Sequence, residues 1–453
     1  MAGTLITPVL DEGLGNSAYL VDLGDGRALA VDAPRDLRAV RAAAARHRLT
    51  VAFAADTHLH ADFLSGAPQL AADDGAQILA SASGRRTFDY RGLADGDEVN
   101  LGGLTLRAWA TPGHTFEHVA YLLLDGGQLL GVFTGGSLLV GAVARTDLSG
   151  PERAEPLARS QYASVHRLLT LPDVTPVYPT HGAGSLCSAP PGADRTTTIG
   201  REKAANPLAA AAGEDAFVAA LRAGLGSFPG YFLRLPEENR RGPAILAGAP
   251  ALAPLSAGQV RTLRNDGGQV IDVRPARDYA AGHIPGSLAI PLRAAFATWL
   301  GWLADPAAPL AIVAGPGQDL AEAAWQALKI GYENLAGTLA GGMPAWQAGG
   351  LPVAVTPVLV PGQVDPATVI DVRQASEYAD GHLPGARNVE LGALTGQAAA
   401  VRGRPVVTMC AHGERATTAA SVLERAGHAA VAVLTAGPRD WAEATGRRLD
   451  VVA

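Results

Sequence analysis

An internal duplication constrains this 453-residue chain more than any other feature. Ile271-Asp272-Val273-Arg274 recurs as Ile370-Asp371-Val372-Arg373, and Gly282-His283-Ile284-Pro285-Gly286 returns as Gly381-His382-Leu383-Pro384-Gly385, both 99 positions on. Two motifs repeated at one spacing identify a duplicated domain. In each copy short apolar runs alternate with stretches of helical spacing, which predicts a parallel sheet covered by helices on both faces. The shared aspartates and histidines read as structural, because the copies differ elsewhere, in the loop where chemistry is expected to sit.

In the second copy the apolar run Pro405 to Met409 reads as a buried strand and Ala416 to Gly427 as a helix. Between them lies Cys410-Ala411-His412-Gly413-Glu414-Arg415. A cysteine on a tight strand-to-helix turn faces backbone amides and the positive end of the helix dipole, which favours the thiolate, a nucleophile. Gly413 permits the turn, Ala411 to Glu414 form the substrate-facing loop, and the planar fork of Arg415 suits an anionic sulfur donor. The competing reading is a small buried hydrophobe at a strand end. In the first copy Leu310 to Ala314 leads into Gly315-Pro316-Gly317-Gln318-Asp319-Leu320. Gly315 and Leu320 are expected where the second copy has Cys410 and Arg415. That copy carries no sulfur and reads as a scaffold, docking or channelling module, with its tryptophans as core packing.

The length suits about three domains. A formal charge of −7 argues against a nucleic-acid or polybasic membrane-surface role. Two cysteines, Cys187 and Cys410, are too few for a disulfide framework and fit a reducing compartment. No basic n-region with an apolar core opens the sequence, and the longest uncharged runs are broken by glycine and proline, so a cytoplasmic enzyme is expected.

Upstream of the repeat, Ala18 to Asp22 and Ala28 to Asp32 read as neighbouring strands, Asp36 to His47 as a helix and Thr50 to Ala55 as a strand, a layered α/β pattern. Ala204 to Gly226 reads as helical, Pro229 to Pro243 as polar turns, and Ala244 to Pro254 as a linker. Three histidine-bearing turns follow apolar runs: Thr57-His58-Leu59-His60-Ala61-Asp62, Thr111-Pro112-Gly113-His114-Thr115 and Tyr178-Pro179-Thr180-His181-Gly182. Side chains two apart on extended chain point the same way, so His58 and His60 can grip one ion with Asp62 beside them. Cys187, a lone cysteine near His181, reads as a bystander.

From Pro361 to the end, the Asp-Val-Arg, Gly-His-Leu-Pro-Gly and Cys-x-x-Gly-x-Arg motifs together resemble a rhodanese, the sulfurtransferase module that carries sulfane sulfur as a cysteine persulfide. The histidine turns resemble the metallo-β-lactamase fold, an αββα sandwich. With Phe133-Thr134-Gly135, Arg145-Thr146-Asp147, Tyr178 to Leu186, Thr198 to Lys203 and Glu238 to Pro243, the whole chain resembles fused persulfide dioxygenase–rhodanese proteins. The resemblance implies three domains: 1–250 of metallo-β-lactamase fold, 251–356 an inactive rhodanese-like domain, and 357–453 an active rhodanese with Cys410. It implies an iron held by two histidines and one aspartate; His58 and His114 match, whereas Gly136 stands where the aspartate is expected. It places Arg145 at the substrate.

The expectation is therefore Cys410 sulfurtransfer fused to a domain with an altered metal site drawn from His58, His60, Asp62, His114 and His181. That site would hold Fe(II) at His58 and His114, zinc at His58, His60 and His114, or no metal. The alternatives are a working iron persulfide dioxygenase, a zinc hydrolase acting on a thioester, and a non-catalytic sulfur carrier. The expected partners are a small-molecule persulfide, thiosulfate or sulfite, with no nucleic acid, no membrane and room for a homo-oligomer.

Overall fold

The computed structural model describes residues 6–187, 194–401 and 405–452. It divides into two units, one running to Gly248 and joined by Leu328–Gly331, the other made of Ala249–Ala327 with the chain from Tyr332 on. Both copies of the duplication lie in the second unit.

The first unit contains two six-stranded sheets. Ile6–Asp11, Asn16–Asp22 and Arg27–Val31 form an antiparallel meander, extended in parallel by Thr50–Ala55, Gln77–Ser81 and Arg91–Leu93. The second sheet takes Glu98–Asn100, Leu104–Ala110, Val119–Asp125, Gln128–Gly135, Pro176–Pro179 and Thr197–Thr198 in order. Alternation along the strands explains the layering. Tyr19, Val21, Leu29 and Val31 of one sheet meet Leu106, Ala108, Tyr121, Leu123 and Phe133 of the other in a shared core. On the outer faces, Leu20, Ala28 and Ala30 pack against Val40, Ala43 and Leu70 of the helices Arg38–His47 and Ala67–Asp74, while Leu122 and Val132 pack against Ala158, Val165, Phe217 and Leu221 of Pro151–Leu168 and Glu214–Ala223. The result is the αββα sandwich.

Two local expectations fail for identifiable reasons. The helix expected over Ala204 to Gly226 is two helices, Ile199–Ala205 and Glu214–Ala223, because Asn206 caps the first chain end and Pro207 and Gly213 interrupt the run. The segment expected as turns contains the helix Leu235–Arg241, begun by Pro236 and supported by Glu237 pairing with Arg240 and Arg241.

The second unit has two five-stranded, all-parallel sheets with matching topology. The first is ordered Pro254–Leu255, Leu335–Leu339, Leu310–Val313, Gln269–Asp272, Leu288–Ala289; the second Val358–Leu359, Val431–Leu434, Val406–Met409, Val369–Asp371, Arg387–Asn388. Trp346 and Trp441 are buried in their respective cores. The shared motif residues do the same structural task twice. Asp272 and Asp371 hold Arg274 and Arg373, whose guanidinium groups also donate to the Gly282 and Gly381 carbonyls. His283 and His382 stack on Tyr279 and Tyr378 with centroids 3.8 and 3.7 Å apart.

The sheet register corrects one alignment. Val313 pairs with Asp272 as Met409 pairs with Asp371, so the residue opposite Cys410 is Ala314 rather than Gly315. The loop that follows is longer in the first copy, and sequence spacing alone misplaced the match. Among the described residues no helix is long and apolar enough to cross a membrane.

Candidate functional site

The ends of Thr50–Ala55, Leu104–Ala110 and Pro176–Pro179 bring His58, His60, His114 and His181 into one buried cluster, with His118 beside them. Ring centroids of His58 lie 4.2 Å from His60, 4.8 Å from His114 and 5.3 Å from His181. Hydrogen bonds to the outer nitrogens orient the rings. His58 Nδ1 meets Thr57 Oγ1 at 2.8 Å, and that hydroxyl donates to Asp32; His114 Nδ1 donates to the Arg145 carbonyl at 2.6 Å; His181 Nδ1 donates to Asn16 Oδ1 at 3.0 Å. This leaves Nε2 of each facing inward, the arrangement in which outer partners aim metal-binding imidazoles. His60 is turned the other way, its Nε2 donating to Asp32 at 3.1 Å. His60 Nδ1, His114 Nε2 and Asp62 Oδ1 are buried polar atoms without a hydrogen-bond partner.

Electrostatics agree with that geometry. Burial, then the neighbouring imidazoles, holds His58 well below the usual histidine range, and burial followed by His181 lowers His114 to about 3. Burial also disfavours charge on His60, but Asp32, Asp56 and Asp62 outweigh it and raise that pKa. Burial would raise Asp62, yet His181 and His60 bring it to about 2. Neutral His58 and His114 beside an ionised Asp62 are the protonation states that ligate a cation.

Gly136 decides which cation set fits. A Cβ there would lie 2.5 Å from His114 Cδ2 and 3.1 Å from Ala144 Cβ, so an aspartate has no room beside the ring as it stands. The backbone is tied as well: the Gly136 amide donates to His118 Nε2 at 2.9 Å, and its carbonyl accepts from Gln161. A side chain at position 136 would therefore displace the His114 ring, and the carboxylate that stands among the histidines is Asp62. His118, which the sequence reading passed over, has both nitrogens engaged, Nδ1 by Thr111 and Ser137, and acts as a prop. Two further props were also missed. Gln161 accepts the His114 amide at 2.7 Å, and Asn239, on the helix Leu235–Arg241, clamps the carbonyls of His60 and Phe63 and the amide of Ser65. The motif around Asn239 was visible; its target was not.

Arg145 is buried against Asp147, donates to the Leu186 and Gly226 carbonyls, and lies over the Phe228 ring at 4.4 Å. Its guanidinium is held by protein groups, while its carbonyl orients His114. Cys187 is fully buried, and burial with the adjacent Asp62 carboxylate pushes its thiol well up.

In the second unit Cys410 follows Val406–Met409 and precedes the helix Glu414–Arg425. It is 2% exposed, yet the Gly413 amide donates to its sulfur at 3.1 Å. Gly413 has φ +86°, and an added Cβ would come within 3.1 Å of Thr435 Cα, so the turn requires glycine on both counts. Beside the loop opens a cavity of about 330 Å³ lined by Arg373, Glu377, Ala411, His412 and Arg439. His412 is exposed and Ala411 partly so. Arg415, expected to face an anionic donor, instead forms a two-bond fork with Glu377 at 2.7 and 2.9 Å. A largely buried guanidinium needs a counter-charge, and Glu377 supplies it. Glu414 pairs with Arg293 of the first copy at 3.0 Å.

The family model of the rhodanese-like domain matches residues 256–349 and 361–444. The upstream part is 31% identical over 212 residues to the hydroxyacylglutathione hydrolase of a Methylobacterium species, covering 41% of this chain and 79% of that protein. It is 32% identical over 151 residues to the mitochondrial persulfide dioxygenase ETHE1 of Homo sapiens, covering 33% of this chain and 54% of the relative. A probable metallo-hydrolase of Burkholderia pseudomallei is 30% identical, with 66% of its length covered. The chain thus spans about half to two thirds of these last two relatives. A crystal structure of a metallo-β-lactamase from Staphylococcus aureus superposes with a TM-score of 0.67 at 27% identity, over 74% of this chain and 98% of that one.

Proposed function

Because the chain belongs to the metallo-β-lactamase-fold proteins that carry two rhodanese-like domains, we propose that it is a sulfurtransferase of sulfane-sulfur metabolism working through a persulfide on Cys410. The observation that carries this reading is the Gly413 amide aimed at the Cys410 sulfur at the start of a twelve-residue helix, next to an open cavity. The Cys410 thiolate attacks the sulfane sulfur of thiosulfate; the donor's S–S bond breaks, sulfite leaves, and the cysteine keeps the transferred sulfur as a persulfide anion. A thiol, sulfite or cyanide then attacks the outer sulfur and restores the thiolate. Amides of the loop and the helix dipole stabilise the anion at both stages. Arg415, locked to Glu377, sets the loop's shape, and His412 and Arg439 at the cavity receive the donor's charge.

Incubation with thiosulfate followed by mass spectrometry of the intact protein is expected to add one sulfur atom at Cys410. Unchanged thiosulfate-to-cyanide turnover by Cys410→Ser refutes the reading.

For the first unit the histidine cavity supports metal-dependent chemistry on a sulfur compound, in a reducing, cytoplasmic setting. Oxygen uptake with a low-molecular-weight persulfide, set against hydrolysis of hydroxyacylglutathione, separates the activities named for its relatives.

A further inference from the structure

Among the described residues of the first unit, Asp32, Asp56 and His60 lie close enough together to hold a cation, and two further groups share His181. Ligand atoms of His58, His60 and His181 all lie within 4.8 Å of one another, and so do those of His114, His181 and Cys187. His181 belongs to both. Its Nδ1 is held by Asn16, so only Nε2 is available and the two sets are alternatives. We propose that the cavity is a metal site built from His114, His181 and Cys187, selecting a borderline-soft divalent ion such as zinc through a thiolate ligand.

Three observations carry this assignment. His114 Nε2 is completely buried, faces the cavity and has no partner, so an imidazole lone pair is held there with nothing to receive it. Gly136 removes the carboxylate that would have served an ion beside His114, and the crowding at its Cα shows that none can return without moving that ring. Cys187 is also the only one of the five residues that can contribute an anion. A thiolate cancels one charge of a dipositive ion at the ligand itself, whereas His58, His60 and His181 offer three imidazoles. Bond lengths of ~2.0–2.3 Å place tetrahedral ligands roughly 3.3–3.8 Å apart, so atoms that lie within 4.8 Å of one another need close by about 1.5 Å at most.

On binding, the metal–sulfur bond replaces the S–H bond and the proton leaves to solvent; no electron is transferred. With three protein ligands, a tetrahedral ion there would keep one position for a further ligand, and His58 Nε2 lies 3.4 Å from His181 Nε2. Cys187 stands six residues after His181, and only the fold of the turn between them shows that both face His114.

This site goes beyond transfer at Cys410 and does not depend on it. The chain has two cysteines, so the full-length Cys410→Ser protein keeps Cys187 as its sole thiol. Stripped of metal and titrated with cobalt(II), it is expected to take up one equivalent and develop the near-ultraviolet thiolate-to-cobalt charge-transfer absorption. Loaded with zinc, its X-ray absorption is expected to show one sulfur at ~2.3 Å with nitrogen neighbours. His181→Gln is expected to weaken cobalt binding at least ~10-fold, while His60→Ala retains the absorption at full stoichiometry. A coordination shell without sulfur, failure to bind either ion, or loss of the absorption in a His60→Ala protein with the parent's circular dichroism overturns the assignment. The first two readings come from an unaltered cavity, so misfolding of a variant does not bear on them.

Discussion

The two copies in the second unit share strand order, the aspartate–arginine clasp and the stacked histidine, yet differ where the central strand gives way to a helix. In the second copy Cys410 sits at the strand end and the Gly413 amide turns back onto its sulfur. In the first, Ala314 holds that place, and the longer loop is closed by Gln318, which accepts from the Gly315 amide at 2.7 Å and donates to the Val273 carbonyl at 2.8 Å. A side-chain amide thus satisfies backbone groups that a sulfur-binding loop would leave directed at its ligand. The copy without the thiol has a loop that supports itself. Motifs common to both copies therefore report on folding, and the differences report on chemistry.

The largest test moves the thiol between the copies. Cys410→Ser is expected to lower thiosulfate sulfurtransfer by about 10³-fold or more, and adding Ala314→Cys to restore none of it, because Gln318 occupies the loop. Recovery of turnover in the double variant would mean that the thiol's position alone distinguishes the copies. Next, Arg415→Lys keeps the charge but breaks the fork to Glu377, and kcat/KM is expected to drop ~10²-fold through displacement of the loop. In the first copy Asp319→Ala, which removes only a helix cap, is expected to leave turnover unaltered.

A stability pair comes third. Gly413→Ala meets both a left-handed φ and Thr435, and is expected to cost roughly 2–4 kcal/mol in urea unfolding, while Gly317→Ala, with φ +76° and open space, costs about 1–2 kcal/mol. Equal values would show that crowding at Thr435 is relieved by the loop. The smallest effect is expected for Glu424→Gln, which weakens the partly buried contact to His283 at 3.1 Å that joins the copies, by about 1 kcal/mol.

Much of this was legible beforehand because it is local. The duplication, the strand before Cys410, the glycine turn and the three histidine loops are all written in neighbouring residues. What escaped depends on contacts distant in sequence. Glu377 lies 38 residues before Arg415, so nothing near the loop revealed that its guanidinium was already engaged. Asn239 reaches the His60 loop across 179 positions. The match of Gly315 to Cys410 failed because a loop of different length shifts the count, and only pairing with the aspartate strand fixes it. Pro229 to Pro243 read as polar turns, yet Pro236 stands in the first turn of a helix, where a missing N–H is harmless.

The helix Glu414–Arg425 is buried over eight successive residues, Ala416 to Leu423, and part of that cover is the first copy: the Ala289 amide donates to Ser421, and Arg293 and His283 reach Glu414 and Glu424. For anyone wishing to transplant the reactive module, the portable piece is the tandem. Excised alone, the tail would present a small-residue helix flank to water, inviting self-association in place of its lost sibling.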